Sequence, residues 1–457
     1  MLAKLRNGDT RAPWPSPPYQ TVDAASGDVC GFRRVAFAIL TGTMTADELL
    51  QAALGILPPW CVSHSTLSVE AKRVDIHLDF APGSTFSCPE CAAPGCKAYD
   101  TRGCTWRHLN LFEHETYLHA RTPRVQCMRC GIHLVRVPWA RPGSGFTLLL
   151  EAFAIRLVQA MPVLAAARLL GIHDTRLWRM VNEYVEMGRS KEDHSELKRV
   201  GIDETSARRG HDYVSLFVDL DRRRVVFVAA GKDAATVEAF AGDLRAHGGA
   251  PEAIAEVSID MSKAFIKGVT EQLPNAEITF DKFHAVSLVN EAVDEVRRQE
   301  RKTHPELAGT RYVWLKNEAN LTDAQAEQLG RFDLSRCYLK TARAHQIRLA
   351  FQDLYAQDPE HAEYYLKRWY FWATHSRIEP LVKVARTIRQ HQNGILRWFT
   401  SRINNGILEG INSLVQAAKA KARGYRSFRN FASIIYLVAA NLISLVNPPE
   451  TAKSRTS

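Results

Sequence analysis

Cysteine is too sparse in this sequence for a disulfide scaffold: nine residues in 457, and an odd number, so complete pairing is excluded as well. A membrane-length apolar run is also missing. The longest, Phe431–Val446, has 16 residues and carries Asn441, short of the roughly 18 that a span requires, and it reads as a buried helix. Met1–Asp9 has no apolar core, so no secretory leader is recognised there. Acidic surplus is absent too: Lys and Arg total 59 against 49 Asp and Glu, a net charge of +10. These shortages point to a cytoplasmic protein without a membrane partner. The basic surplus suits a polyanion such as nucleic acid, or serves solubility alone. A composition 46% hydrophobic and 24% charged excludes a mainly disordered, collagen-like or single-coiled-coil chain. The length suggests about three domains.

Residues 1–43 differ from the rest. Arg11–Tyr19 holds four prolines in nine residues and cannot be regular structure. At Met44 the pattern changes, with Thr45 to Glu48 resembling a capping box ahead of Leu49–Leu57. Met44 is a candidate true start, and the segment before it either a non-native extension or an ordinary flexible tail. Within Val62–Phe80, Val74, Ile76, Leu78 and Phe80 alternate with polar residues, the period of a half-buried strand. Phe146–Gly188 reads as helical, and Met187–Val200 as a charged linker. Val200–Asp203, Tyr213–Leu220 and Arg224–Ala230 read as strands, with a tight turn at Asp221–Arg223. A helix at Ala234–Gly248, strands at Ile254–Asp260 and Ala276–Asp281, and about a hundred helical residues from Ala285 to Trp398 follow. A helix from about Leu408 to Ala422 and the apolar helix close the chain.

Six of the nine cysteines lie between Cys88 and Cys130. Cys88 with Cys91 and Cys127 with Cys130 form two C-x-x-C knuckles, the pattern of a four-thiolate Zn²⁺ site. The gap between the knuckles exceeds the roughly 15–20 residues usual for such sites. A strand pair, Thr105–Phe112 with Thr116–Val125, fills it. Cys96, Cys104, His108, His114 and His119 are taken as bystanders. Ala165–Leu170, Gly171 to Asp174, and a helix from Thr175 have the shape of a helix-turn-helix, with Gly171 closing the first helix and Asp174 capping the second. Arg176 and Arg179 then sit on the recognition helix, although a plain helical hairpin fits the same stretch.

Asp203 and Asp260 stand at strand ends, and Glu409 lies near the start of a late helix. Oxygen donors of this kind suit Mg²⁺ or Mn²⁺, and two such ions about 4 Å apart can drive displacement at phosphorus. A lone strand-end Asp is usually a solvated turn residue, so spacing alone is weak. Asp281 and His284 follow the last strand and either line the same edge as accessory groups or form a structural hydrogen bond. Lys419, Lys421, Arg423, Arg426 and Arg429, with Tyr425 and Phe428 interleaved, suit a nucleic-acid backbone beside an unstacked base, or a solvated helix face. Lys419, Arg423 and Tyr425 are the DNA-binding candidates of this run.

From Met44 to Val446 this layout resembles the DDE transposases of bacterial insertion sequences, in the group named after the L-three element. The likeness rests on the two knuckles, on Val137–Phe146 leading into the helical pair, on Gly201–Gly210 (GIDETSARRG), on Asp260–Ser262, on Phe280–His284, and on Leu408–Ser413 with Ala422–Tyr425. The resemblance implies a multidomain α+β chain. Its expected parts are a zinc-ribbon-like domain (44–145), a helix-turn-helix domain (146–186), a linker (187–199), and a ribonuclease-H-like α/β core (200–284 and 401–447) interrupted by an all-helical insertion (285–400), with a tail at 448–457. It maps an acidic triad onto Asp203, Asp260 and Glu409. The implied activity is metal-dependent cleavage and strand transfer at terminal inverted repeats, on double-stranded DNA, by a homodimer or higher oligomer associated with the nucleoid. The alternative is a DNA-binding regulator that kept the zinc and helix-turn-helix modules and lost catalysis. Its mark would be a missing carboxylate, and all three are present.

Overall fold

The structure, a computed structural model, describes residues 44–208, 212–332, 338–403, 406–440 and 442. The expectations for the 1–43 segment and the 448–457 tail, for Gly210, and for Asn404 and Asn405 fall outside the described residues. The chain divides after Leu150 into two compact units.

In the first unit, helix α1 (Ala46–Ala53) opens on the expected capping box, with the Thr45 side chain accepting from the Glu48 N–H and the Glu48 carboxylate accepting from the Thr45 N–H. Six strands follow: β1 (Trp60–Ser68), β2 (Arg73–Phe80), β3 (Thr85–Phe86), β4 (Cys96–Arg107), β5 (Glu115–Cys127) and β6 (Gly131–Leu134). They form one sheet in the order β1-β2-β5-β4-β3, with β6 on β5, and β2 runs parallel to β5. The alternation read in β2 buries Val74, Ile76 and Leu78 against Trp60, Trp106, Leu118 and Trp139. The strand pair between the knuckles differs from expectation. β4 begins earlier, at Cys96, and ends at Arg107 rather than Phe112. The buried Arg107 guanidinium donates to the His108 carbonyl and to Asn110 Oδ1, which folds residues 108–114 into a loop instead.

Helix α2 (Leu148–Ala160) runs across the division at Leu150, and the second unit goes on with α3 (Val163–Leu170) and α4 (Asp174–Arg189), then a second sheet. Its strands are β7 (Arg199–Ser206), β8 (Tyr213–Asp219), β9 (Arg224–Ala230), β10 (Glu256–Ile259) and β11 (Glu277–Phe280). Helix α5 (Ala234–Ala246) joins β9 to β10, α6 (Lys263–Gln272) joins β10 to β11, and α7 (Lys282–Glu300) leaves β11. The three-strand, helix, strand, helix, strand order read from the sequence is the order observed. Spatially the sheet runs β9-β8-β7-β10-β11, with β7, β8 and β9 an antiparallel meander and β10 and β11 parallel to β7. A tight turn does follow β8: Asp219 accepts from the N–H groups of Asp221 and Arg222, and Arg223 adopts φ 56°.

Residues 187–199, read as a linker, are packed rather than loose. Arg189 ends α4 and pairs with both Glu192 and Asp243, Arg224 pairs with Glu192, and Leu197 is buried. Ion pairs replace the apolar contacts that the segment lacks. Beyond α7 the described residues are almost all helical up to Ser401, including α8 (Lys340–Asp353), α9 (Pro359–His375) and α10 (Glu379–Gln390). Trp314 is fully buried there, donating its indole N–H to Thr310 and meeting the His345 ring edge-on. The chain then returns to β7 as α11 (Gly406–Lys421) and closes with α12 (Phe428–Ala439). Among the described residues no helix is long and apolar enough to cross a membrane.

Candidate active site

β7, β10 and β11 are neighbouring parallel strands, so their C-terminal ends share one edge of the sheet. Asp203 lies on β7, Asp260 follows β10 and Asp281 follows β11. Asp260 accepts from the Ser262 N–H at 2.9 Å, and Asp281 caps α7 by accepting from the Phe283 N–H at 2.9 Å. His284, one helical turn on, places Nδ1 2.9 Å from Asp281 Oδ2. That bond to a nearly buried carboxylate raises the imidazole to about 9, with Asp203 and Asp260 adding to the effect, so His284 is a cation at neutral pH. Burial pushes Asp203 up to about 6, and the negative charges of Asp281 and Asp260 add to the rise. The structure therefore brings Asp203, Asp260, Asp281 and His284 into one electrostatic neighbourhood.

Helix α11 reaches the same edge. Its residues at helical spacing face β7: Leu408 against Gly201, Asn412 on Asp203, and Gln416 and Lys419 on the Ser206 carbonyl. Asn412 Nδ2 donates to Asp203 Oδ2 at 2.6 Å. Glu409 stands between Leu408 and Asn412, on the adjoining face, and is exposed. The three carboxylates are not drawn within 4.8 Å of one another, the spacing that the four thiols below do reach. Asn412 and Gly201 were missed as site residues by sequence reasoning. Their signal was the spacing of Leu408, Asn412 and Gln416 on one helix face opposite a strand with a glycine in it.

In the first unit, one ligand atom from each of Cys88, Cys91, Cys127 and Cys130 lies within 4.8 Å of the others. Cys91 and Cys127 sulfurs are 3.6 Å apart. A tetrahedron with bonds of about 2.3 Å to Zn²⁺ has edges of about 3.8 Å, so the thiols fit that ion. Gly131 turns the chain under the second knuckle with φ +88°, a conformation costly for any other residue. The backbone N–H groups of Arg129 and Cys130 pull the Cys127 thiol down to about 6, toward the thiolate that a metal requires. Of the bystanders, Cys96 contacts the Ala93 carbonyl but borders the cluster, its thiol raised by burial and by the neighbouring Cys127 and Cys88, while His108 pairs with Thr147 and His119 with Asp75.

α3 and α4 form the expected helical pair. Gly171 closes α3 in the left-handed conformation at φ 64°, and α4 buries Leu177, Met180, Val181, Tyr184 and Val185 while Arg176 and Arg179 are exposed. The cap differs from expectation. His173 is the N-cap, with Nδ1 accepting from the Thr175 N–H, and Asp174 is the first helical residue, its carboxylate accepting from the same N–H at 2.9 Å. A groove of about 1060 Å³ is lined by Trp178, Arg208, Lys419, Arg423, Tyr425 and Arg426, among others. Tyr425 forms part of the groove wall. Its ring stacks on Phe431 at 5.2 Å and meets Trp178 edge-on at 6.2 Å, and burial lifts the phenol to about 12. It lines the groove beside Lys419 and Arg423, half-buried.

Comparison with known proteins supplies the class. A family model for the DDE transposases of the ISL3 type, described as "Transposase", matches residues 200–435, which is more than half of the chain. Two further models precede it: "Helix-turn-helix domain of transposase family ISL3" at residues 135–185, and "zinc-finger of transposase IS204/IS1001/IS1096/IS1165" at residues 84–130. The chain belongs to the ISL3 family of transposases. It is similar to the transposase for insertion sequence element IS1557 of Mycobacterium tuberculosis, 29% identical over an alignment of 368 residues that covers 73% of this chain and 81% of that protein. It is also 29% identical over 356 residues to the transposase for insertion sequence element IS1001 of Bordetella parapertussis, covering 75% of this chain and 86% of that protein.

Proposed function

We propose that this transposase cuts and joins DNA with a ribonuclease-H-like core whose acidic residues Asp203, Asp260 and Glu409 hold Mg²⁺ or Mn²⁺. Support for the core comes from the strand order β9-β8-β7-β10-β11, a three-strand meander extended by two parallel strands on crossover helices. Residues 285–400 are the helical insertion, and 401–447 complete the core. The observation that carries the reading is Asp203. It is held by Asn412 of the returning helix, lies beside Asp260 and Asp281, and is raised to about 6 by burial. A cluster of that charge is costly alone and suits hard divalent cations with oxygen ligands.

Bound there, two such ions supply activation of an attacking hydroxyl and charge stabilisation of the departing oxygen. The chain's own residues do the rest. Asp203 and Asp260 offer oxygens from neighbouring strand ends, and Glu409 completes the set from α11. Asn412 orients the Asp203 carboxylate. His284, cationic through Asp281, balances the carboxylates and holds a phosphate oxygen of the scissile strand. Arg176 and Arg179 read the terminal inverted repeats in the major groove, and Lys419 and Arg423 hold the backbone. Cys88, Cys91, Cys127 and Cys130 bind a structural Zn²⁺ that fixes the ends of β5 and β6. The protein acts in the cytoplasm on double-stranded nucleoid DNA, as a homodimer or higher oligomer. The test is incubation with DNA carrying the element's ends and Mg²⁺. Cut 3′ ends and joined products are expected, and binding without cutting would oppose the reading.

A further inference from the structure

A second cluster of metal-type ligands lies in the larger unit, apart from the carboxylate edge. His194, Asp243 and His247 each bring one ligand atom within 4.8 Å of the others. His194 is 1% exposed, and its Nε2 is buried with no hydrogen-bond partner. A buried imidazole nitrogen in that state is costly unless something binds it. His247 Nδ1 lies 2.8 Å from the Asp243 carbonyl and 3.3 Å from Asp243 Oδ2, both acceptors, so the proton sits on Nδ1 and the neutral ring carries its lone pair on Nε2. Metal-bound histidines commonly hold that tautomer, with the other ring nitrogen donating to a backbone carbonyl. The His194 N–H donates to the His247 carbonyl at 2.9 Å, and the two rings stand 5.1 Å apart, so the backbone holds the pair together.

We propose that His194, Asp243 and His247 bind a first-row divalent cation of the zinc type. Two imidazoles and a carboxylate are a known zinc donor set, with a fourth position left to water. The surroundings carry little net charge. Arg189 pairs with Asp243, and Arg189 and Arg224 both pair with Glu192, so two guanidiniums face two carboxylates. Arg189 reaches both Asp243 oxygens, yet a carboxylate has about four acceptor sites, and lone pairs remain for a cation. The site also sits at the C-terminal end of α5, whose dipole favours positive charge. The cation would tie the segment leaving α4, the proposed recognition helix, to α5 of the catalytic unit, and so fix the angle at which α4 is presented.

The test is metal counting on the full chain, equilibrated with Zn²⁺ and freed of loosely held ion. About two zinc ions per chain are expected, falling to about one in a His194→Ala, His247→Ala double variant. Substitution with Co²⁺ separates the sites. The double variant should keep the near-ultraviolet thiolate bands of the four-cysteine site and lose only part of the visible absorbance. His194→Gln, which keeps the size and polarity of the side chain, should behave the same way and guards against a folding defect. One zinc per chain in the unaltered protein overturns the proposal, as does a double variant that still holds two.

Discussion

Gly201→Ala tests how the returning helix meets the sheet. A Cβ at Gly201 would stand 2.8 Å from Leu408 Cδ2 and 2.9 Å from Leu220 Cδ2. Ordinary carbon contacts are about 3.5–4.0 Å, so close to an ångström of room must be found. Both leucines are buried, at 3% and 6% exposure, so their ends move only by repacking their neighbours. Overpacking of this kind costs about 1–3 kcal/mol. The compliant partner is α11, which rides on β7 through Leu408 and the 2.6 Å bond from Asn412 to Asp203. A shift of about 1 Å there misplaces Asn412 and Glu409, and misplacement of that size costs about 100-fold in rate. The assay is the rate of strand cleavage at the element's end in Mg²⁺, read beside a gel-shift measurement of DNA binding. Cleavage should fall about 100-fold with binding intact, and Leu408→Ala added to Gly201→Ala should recover part of the rate by making room. Undiminished cleavage in Gly201→Ala would refute the reasoning, and equal loss of binding would show a folding defect instead.

Removing zinc from the four-thiol site, by chelation or by Cys88→Ser with Cys127→Ser, should unfold the sheet end around the knuckles and weaken DNA binding, with metal analysis and circular dichroism as the checks. Arg176→Ala with Arg179→Ala should reduce affinity for the terminal repeats at least tenfold while leaving thermal stability unchanged, since both side chains are exposed. His284 is held charged by Asp281 up to about 9 in the folded chain, against 6.5 ordinarily. Because the folded value is the higher one, the stability it contributes is fully present below pH 6.5 and is lost as pH rises through 9. Denaturant melts between pH 6 and 10 should show that decline in the unaltered protein and a flatter profile in His284→Gln.

Much of the catalytic unit is legible in the sequence because strands β8 and β9 are buried on both faces. Tyr213–Asp219 and Arg224–Ala230 therefore read as continuous apolar runs. β2 was legible for the opposite reason, its strict alternation. Pairing order across a sheet is non-local, and no residue near Asp203 announces that Asp260 and Asp281 will be its neighbours. β4 was partly hidden because Lys97 to Gly103 carries little apolar side chain; pairing with β5, not burial, makes it a strand. The 187–199 segment looked like a linker because its contacts are ion pairs through Arg189 and Glu192, which composition does not distinguish from a solvated run. The contacts of Phe431 and Trp178 with the Tyr425 ring were hidden in the sequence, since side-chain packing between separate segments leaves no local pattern.

Asp203, Asp260 and Glu409 are proposed to act as one metal-holding set, with Glu409 supplied by α11 after a long helical excursion. The direct measurement is cleavage and joining of end-repeat DNA by Asp203→Asn, Asp260→Asn and Glu409→Gln, each assayed with Mg²⁺ and Mn²⁺ beside a gel-shift control. All three variants should bind the repeats as the unaltered protein does and lose cleavage and joining together. Full cleavage by Glu409→Gln would contradict the account and move the third ligand to Asp281.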